Sequence, residues 1–359
     1  MQSTPKRIAS LDGLRALSIL LVLTGHAAAT IPYRDALPGG ALTVLGNARL
    51  GVMTFFVISG YLITHLLRKE WQREGRIDLR GFYLRRLYRI FPAFYAYILV
   101  VTLLAAAGAI QLSGTNLLSA FLFAWNYVHL FVENASSGTW FLGHFWTLSL
   151  EEQFYLVWPA TFLLAGRRRG AGIALVIFLV SPAIRVLTYF LWPDARPFIT
   201  IMLHTNADPL MLGSLVALLE GNRRFETAMG YLLRHWVAAV AALFALLVSP
   251  FLNQHFQGAY YLPLGSTLDS VCIALFLLWA IRNPETRVGR LLNRPVLVTI
   301  GVLSYSLYLW QQLFLTPLNH TWTGLFPLNI LVCFGVAWAS YRFIEQPILQ
   351  LRRRRAVPA

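Results

Sequence analysis

Apolar runs of about 20 residues recur along this chain, and each is long enough to cross a hydrocarbon core of about 30 Å as a helix. These runs lie at 8–30, 48–67, 90–110, 146–165, 171–192, 206–220, 236–252, 264–281, 296–316 and 324–345. Only 13% of the residues are charged, whereas an ordinary soluble domain carries about 25%. The sequence therefore predicts an all-α fold, a polytopic transmembrane helical bundle of about ten spanning helices.

An eleventh run, 116–132, is short and carries Asn116, Asn126 and His129. Cytoplasmic loops are enriched in lysine and arginine, so loop charge indicates how this run should be counted. If it is re-entrant or interfacial, 24 of the 30 basic residues fall on one side of the membrane. The segments on that side are the N-terminus, 68–89, 166–169, 221–234, 282–294 and the C-terminal tail. We therefore expect both termini to be cytoplasmic, and the net charge of +15 follows from this asymmetry rather than from a nucleic-acid partner.

The domain organisation is expected to be simple. Residues 1–350 are predicted to form a single membrane domain, followed by a basic cytoplasmic tail at 351–359. Lys6-Arg7, the first apolar run and Ala27–Ala29 together resemble a cleaved signal peptide. Asp12 and Arg15, near the start of that run, argue against cleavage.

The first apolar run carries two ionisable residues, Arg15 and His26. Eleven residues on a helix correspond to three turns plus about 20°, so both lie on one face, about 16 Å apart along the axis. Ionisable side chains in a membrane cost a few kcal/mol and usually face the bundle interior or a wet cavity. The first helix is therefore predicted to line a polar site.

With the topology above, further polar residues fall in the same outer layer as His26. They are Glu151, Glu152, Arg185, Asp208, Asp269 and the pair Gln311-Gln312. Adjacent carboxylates point about 100° apart, so at least one of the two glutamates should meet a partner inside the bundle. His26 is at the predicted depth, and a histidine–carboxylate pair is a common way to orient a general base.

Other interpretations of these residues stay open at this point. His26 could be an interfacial histidine bonded to a carbonyl group. Asp12 and Arg15, three residues apart on a helix, could form a structural ion pair. Asp208 and Asp269 could cap their helices.

A second candidate site lies in the most basic predicted loop. Arg86 and Arg89 are three residues apart and share one helix face. Arginine binds phosphate in a bidentate manner, so this pair suits a phosphate-rich ligand at the cytoplasmic surface. The alternative is a basic interfacial helix held by anionic lipid headgroups.

Six stretches together resemble the acyltransferase-3 family of integral membrane acyltransferases, over nearly the whole chain. They are Leu11-Asp-Gly-Leu-Arg15 with His26, Gly51–Gly60, Arg86-x-x-Arg89 with Ile90-Phe-Pro92, Phe145–Tyr155, Gly301–Trp310 and Tyr341–Pro347. The chain departs from the family pattern at Gln311, where histidine is common, and at Met53-Thr54, where a polar or charged residue is common.

The resemblance implies transfer of an acyl group, most often acetyl from acetyl-CoA, to a hydroxyl of a sugar or glycan, by ten helices in a bacterial inner membrane. His26 is then the expected base, assisted by Glu152 or by Glu151, and an acyl-histidine intermediate stays open. Arg86, Arg89 and Arg15 are the expected donor-binding residues.

Asp12, Asp208, Asp269 and Arg185 are the expected residues near the acceptor, and no metal is expected. Two rival functions share the intramembrane charges. A transporter of lipid-linked sugars would show repeats in two halves, which the sequence lacks. A polyprenyl-phosphate-dependent glycosyltransferase would carry a large outer loop.

Overall fold

The computed structural model describes residues 8–32, 44–128, 130 and 139–355, and within these ranges the chain forms helices and no strand. The helices of its first half are α1 Leu11–Ala27, α2 Ala48–Glu74, α3 Leu79–Ala106, α4 Gly114–Phe121, α5 Trp125–Val128, α6 Thr139–Gly143 and α7 Phe145–Leu191. Those of its second half are α8 Asp208–Leu219, α9 Arg223–Leu232, α10 His235–Leu243, α11 Ser249–Phe256, α12 Gly258–Tyr260, α13 Ser266–Arg282, α14 Arg287–Leu292, α15 Pro295–Phe314, α16 Leu328–Ser340 and α17 Gln346–Arg355.

Eight helical stretches in the described part of the chain are long and apolar enough to cross a membrane, so the predicted all-α polytopic fold is confirmed. The longest, Trp140–Leu191, has 52 residues. It contains the predicted runs 146–165 and 171–192. Between them the backbone of Gly166 is non-helical (φ 67°, ψ −176°), so the stretch consists of two helical segments. Gly170 lies against the Phe162 ring, which shows that the chain folds back at this break.

Two predicted runs have shorter helices than a full crossing requires. The run 206–220 forms α8, whose 12 residues span about 18 Å. The run 116–132 breaks into α4 and α5, of 8 and 4 residues. Neither helix alone is long enough to cross a hydrocarbon core. This corrects the expectation of a full spanning helix at 206–220 and agrees with the separate count made for 116–132. His129 in that run lies outside the described residues.

The centre of the bundle depends on close approach between α2 and α8. A methyl group on Gly60 would lie 2.0 Å from the carbonyl oxygen of Leu210, and one on Gly213 would lie 2.2 Å from that of Val57. Only glycine permits such backbone contact, a common arrangement where membrane helices cross. Helix α1 packs against both α2 and α15. These helices therefore form a tight core beside the first helix.

One end of the bundle gathers the basic segments, and we call it the arginine end. Arg68 forms an ion pair with Glu220 at 2.8 Å, and Arg167 donates to the Glu220 backbone oxygen at 2.7 Å. Arg282 pairs with Glu226 at 2.9 Å. Basic segments that loop charge assigned to one side therefore do lie together. Lys6, Arg7 and residues 356–359 of the predicted tail lie outside the described residues.

The carboxyl group of Glu220 organises this end. Burial alone would raise the pKa of Glu220, but hydrogen bonds from His65 and Tyr61 and the charges of His65 and Arg68 outweigh burial and lower its pKa. Tyr61 donates to it at 2.7 Å, and His65 lies 3.2 Å from it. The opposite end of the bundle, where α1 finishes at His26 and Ala27, is called the His26 end.

Candidate active site

His26 lies in the last turn of α1 and has a partner on α15. Its Nδ1 is 2.7 Å from Oε1 of Gln311, a residue with no exposed surface. With the amide oxygen facing the ring, Nδ1 carries the hydrogen and Nε2 keeps its lone pair. In the neutral ring, this arrangement leaves Nε2 as the atom that can accept a proton.

The expected contact between His26 and a glutamate is not found, and this expectation is corrected. No carboxylate lies within 4 Å of His26 among the described residues. The reason is depth: α7 begins at Phe145, so Glu151 lies six residues, or about 9 Å, farther into the bundle. The residue directly before α7, at the His26 end, is His144.

Several buried polar groups surround His26. The Trp140 ring meets the imidazole edge-on, with 5.4 Å between centroids, and its indole N–H donates to the Gln312 backbone oxygen at 3.1 Å. His144 is close enough to His26 for their charges to interact. Oε1 of Gln312 and Nε2 of Gln311 have no hydrogen-bond partner in the described part of the chain.

Buried polar atoms without partners are uncommon in native proteins, and they point to a ligand or water site. The imidazole cluster, defined as His26, His144, Gln311, Gln312 and Trp140, is therefore suited to proton transfer and to binding a polar reacting group.

The two glutamates lie in a second group instead. Ser59 of α2 donates to Glu151 at 2.5 Å, and Tyr155 donates to the Ser59 hydroxyl at 3.0 Å. The Arg86 guanidinium stacks over the Tyr155 ring, 5.0 Å from its centroid, and interacts electrostatically with Glu152 and Glu151. Neither Arg86 nor Glu152 makes a side-chain hydrogen bond within the described ranges, so both remain available to a ligand.

Arg15 completes this group, which we call the arginine–glutamate cluster: Arg15, Arg86, Glu151 and Glu152. Arg15 acts electrostatically on Glu151 and Arg86. It also forms the 3.3 Å pair with Asp12 that sequence spacing had left open. Asp12 therefore lies toward the arginine end rather than beside His26.

Arg89 does not join Arg86. Its guanidinium is 3.8 Å from Glu345, and its side chain is 34% exposed. The same glutamate accepts a hydrogen bond from Ser306. The two arginines of the Arg-x-x-Arg motif thus have different neighbours, and Arg86 alone faces the glutamates.

Polar residues at the levels of the two clusters recur at the same spacing on two helices. Arg15 and His26 are eleven residues apart on α1, and His144 and Tyr155 are eleven apart across the start of α7, in the opposite direction. Each spacing corresponds to about 16 Å. Between the clusters, Thr147 donates to the Tyr308 hydroxyl at 2.7 Å. Thr147 and Tyr308 therefore place hydroxyl groups between the two clusters.

Arg185 and Asp208, expected near the acceptor, form an internal pair, and this expectation is corrected. They are 2.8 Å apart and 1% and 0% exposed. Arg185 also donates to the backbone oxygens of Leu262 and Thr205 and to the Thr267 hydroxyl. Thr267 in turn donates to the second Asp208 oxygen at 2.9 Å. Because their polar groups are buried and hydrogen-bonded, these two side chains link helices α7, α8 and α13.

Asp269 differs from Asp208. It is 7% exposed, and its Oδ1 has no hydrogen-bond partner among the described residues. It lies at the His26 end, in the first turn of α13. The described residues contain no group of three His, Cys, Asp or Glu side chains able to hold a metal ion.

Sequence reasoning missed four residues of the site: Trp140, His144, Ser59 and Tyr155. A signal for His144 and Tyr155 was present, because residues 144, 147, 151 and 155 follow helical spacing and share one face. Ser59 gave no such signal, since its contact with Glu151 joins residues 92 positions apart.

Fold and site together define a polytopic helical membrane protein with a polar, histidine-containing centre inside its bundle. The acyltransferase-3 family model, described as "Acyltransferase domain", matches residues 8–342. The chain belongs to this family, and the resemblance read from its motifs is confirmed.

Curated relatives agree with this assignment. The O-acetyltransferase OatA of Staphylococcus aureus strain NCTC 8325 / PS 47 is 30% identical over 371 residues, which cover 96% of this chain and 58% of OatA. A provisionally named O-acetyltransferase of Staphylococcus aureus strain COL is 30% identical over 358 residues, which cover 95% of this chain and 57% of the relative. The chain thus spans less than two thirds of the length of these relatives. No solved structure matches it significantly.

Proposed function

We propose that this protein is an acyl-CoA-dependent O-acyltransferase that moves an acyl group, in the first place acetyl, to a hydroxyl of a sugar or glycan. The observation that carries the proposal is the rise of about 16 Å along α1 from Arg15 of the arginine–glutamate cluster to His26. The pantetheine arm of coenzyme A also reaches about 16 Å when extended, by the bond lengths of an amide-containing chain. A donor with its phosphates near Arg86 would place its thioester beside His26.

In the proposed reaction, Nε2 of His26 takes the proton of the acceptor hydroxyl. The hydroxyl oxygen forms a bond to the thioester carbonyl carbon, and the carbon–sulfur bond then breaks. The proton passes from His26 to the departing thiolate, which gives free coenzyme A. The unpaired N–H groups of Gln311 beside His26 are suited to stabilise the negative oxygen of the tetrahedral intermediate.

The arginine–glutamate cluster would hold the donor. Arginine suits the phosphates of coenzyme A, and the carboxylate of Glu152 can accept hydrogen bonds from the two amide N–H groups of the pantetheine arm. Arg15 would line the path between the clusters. This arrangement replaces the expected role of Glu152 as the direct partner of His26.

The proposed location is a bacterial inner membrane, with the arginine end in the cytoplasm. Positive loop charge favours that side, and acyl-CoA would enter from it. A glycan too large to cross the membrane would then reach His26 from the opposite side.

The test uses purified protein in nanodiscs with acetyl-CoA, and it follows release of free coenzyme A with and without acceptor sugars. Wild type should release coenzyme A, and His26→Ala should lose this activity at equal protein level. Absence of acetyl-CoA turnover in wild type, together with uptake of a lipid-linked sugar or with glycosyl transfer from a polyprenyl phosphate, would support a rival function.

Sidedness is tested with inside-out and right-side-out vesicles. Transfer should require the donor on the arginine side and the acceptor on the His26 side. Transfer only when both substrates share the cytoplasmic side contradicts the proposed entry routes.

A further inference from the structure

A cavity of about 450 Å³ lies at the His26 end, between the start of α2, helix α11 and the start of α13. Its volume is within the range of small-molecule sites. The polar and aromatic side chains that line it are Asn47, Arg49, Ser249, Asn253, Gln254, Tyr261 and Asp269. None of them belongs to the two clusters described above.

The wall contains one buried acceptor with no protein partner. Oδ1 of Asp269 makes no hydrogen bond in the part of the chain that the structure describes, although the residue is only 7% exposed. The carboxyl group as a whole also interacts with the Ser249 hydroxyl, which leaves Oδ1 as the open acceptor. Arg49 stacks on the Tyr261 ring with its guanidinium carbon 4.0 Å from the centroid, and it interacts electrostatically with Asp269. A buried carboxylate of this kind indicates a ligand that donates hydrogen bonds.

The charges of the wall select a neutral ligand. Asp269 and Arg49 have opposite charges, so an anion or a cation would meet one group of its own sign in the cavity. Asn253 and Gln254 make no side-chain hydrogen bonds to the described residues, and each amide can both donate and accept. Carboxylate, guanidinium and amide groups around one small cavity match the vicinal hydroxyls of a neutral sugar.

The cavity adjoins the end of α1. A methyl group on Gly25 would lie 2.5 Å from the Gly46 carbonyl oxygen and 3.0 Å from the Ala48 side chain, and both residues line the cavity. The residue directly before His26 therefore touches the cavity wall. A sugar held there could present a hydroxyl of its own, or of its neighbour in a chain, to His26.

We propose that this cavity is the acceptor subsite and that it binds one uncharged pyranose unit of the acceptor through Asp269, Asn253 and Gln254. The assignment as an acceptor subsite rests on the proposed acyltransferase function. Binding of the sugar itself can be measured without any acyl donor.

The experiment measures binding of methyl glycosides of glucose, galactose and N-acetylglucosamine by saturation-transfer NMR. The protein is held in nanodiscs, because sugar-based detergents would compete. Asp269→Ala removes the carboxylate whose Oδ1 has no partner among the described residues, and Gln254→Ala changes an exposed wall residue with little risk to folding. Asp194→Asn, an exposed carboxylate outside the cavity lining, is the matched control.

At least one neutral glycoside should bind wild type and Asp194→Asn equally. Asp269→Ala should weaken this binding by about ten- to a hundredfold and Gln254→Ala by about fivefold, which are the losses expected for hydrogen bonds to a charged and to a neutral group. The proposal is overturned if no glycoside binds wild type, or if both cavity variants bind as wild type does.

The same variants in the acetyl transfer assay separate this proposal from the function it rests on. If wild type acetylates a glycoside and the cavity variants have unchanged acceptor KM, the subsite is wrong and the function stands. If binding depends on Asp269 but wild type never releases coenzyme A from acetyl-CoA, the acyltransferase function is wrong and the cavity is a sugar site of another activity.

Discussion

Replacing Gln311 with leucine tests whether this residue positions His26. The side chain is fully buried, and its Oε1 is 2.7 Å from Nδ1 of the imidazole. Gln311→Leu keeps a similar volume but removes the acceptor. A hydrogen bond of this kind contributes about 1 kcal/mol net, and a buried donor left without a partner costs about 1–3 kcal/mol. Since about 1.4 kcal/mol is tenfold in rate, kcat should fall by about fivefold to a hundredfold.

The measurement is kcat and KM for acetyl-CoA and for an acceptor glycoside, at equal protein level. Because Gln311 acts on the base rather than on the donor phosphates, the loss should appear in kcat with little change in the donor KM. Gln311→Glu keeps an oxygen toward Nδ1 and replaces the unpaired amide nitrogen, so it should retain more activity than Gln311→Leu.

Asn329→Leu is the matched control. Asn329 is also a buried amide on a neighbouring helix, and it donates to the Thr30 hydroxyl just beyond α1 at 2.8 Å. Its removal should lower stability by about 1 kcal/mol but leave kcat within about twofold of wild type.

A double-mutant cycle decides whether Gln311 acts through His26. In the His26→Ala background, Gln311→Leu should cause a much smaller further loss than in wild type, because the imidazole that it orients is already absent and only its proposed contact with the tetrahedral intermediate remains. A full additional loss in that background, or wild-type kcat in the single variant, would refute the positioning role.

Three further outcomes are expected. Arg86→Ala should raise the KM for acetyl-CoA by about ten- to a hundredfold, as expected for charge-assisted contacts. Arg85→Ala should leave this KM unchanged. Equal effects of the two changes would instead indicate that positive charge attracts the donor to the membrane surface in general. Because the pKa of Glu220 is lowered in the folded protein, stability should be fully present above the ordinary glutamate pKa of about 4.3 and should fall as the pH drops through the lowered value. Glu220→Gln should flatten this acid limb in thermal unfolding, and an unchanged limb contradicts the assignment. Gly213→Ala should destabilise the protein by about 1–3 kcal/mol, because the added methyl group overlaps the backbone of α2. Gly335→Ala is the control, since Gly335 has open space around it. Equal melting temperatures of the two variants would contradict the close packing.

The helical fold could be predicted from the sequence because the membrane reduces the problem to hydrophobic length and loop charge. The turn between the two halves of α7 was found as a basic triplet, Arg167–Arg169, between two apolar runs. The length of α8 could not be found in this way. The run 206–220 was counted as a full crossing, yet the helix within it has only 12 residues. The helix starts at Asp208, which forms an ion pair with Arg185, and it ends just before Glu220, which forms an ion pair with Arg68. These tertiary contacts set its ends.

The site was predictable within single helices and unpredictable between them. Helical periodicity fixes Arg15 and His26 on one face of α1 whatever the surrounding structure. The partner of His26 depends on the depth and rotation of α15, and the contact joins residues 285 positions apart. No local pattern encodes that relation. Depth estimated from the ends of apolar runs therefore suggested a glutamate where the structure has Gln311.

The depth of the two glutamates determines which substrate they can serve. Glu151 lies two helical turns inside the start of α7, bonded to Ser59, and Glu152 faces the charge of Arg86. A carboxylate there cannot take a proton from a hydroxyl positioned at His26, about 9 Å away along the helix axis. It can neutralise Arg86 in the bundle interior and offer acceptors to a donor molecule. Loss of either glutamate should therefore affect donor binding, and the pH dependence of catalysis should follow His26.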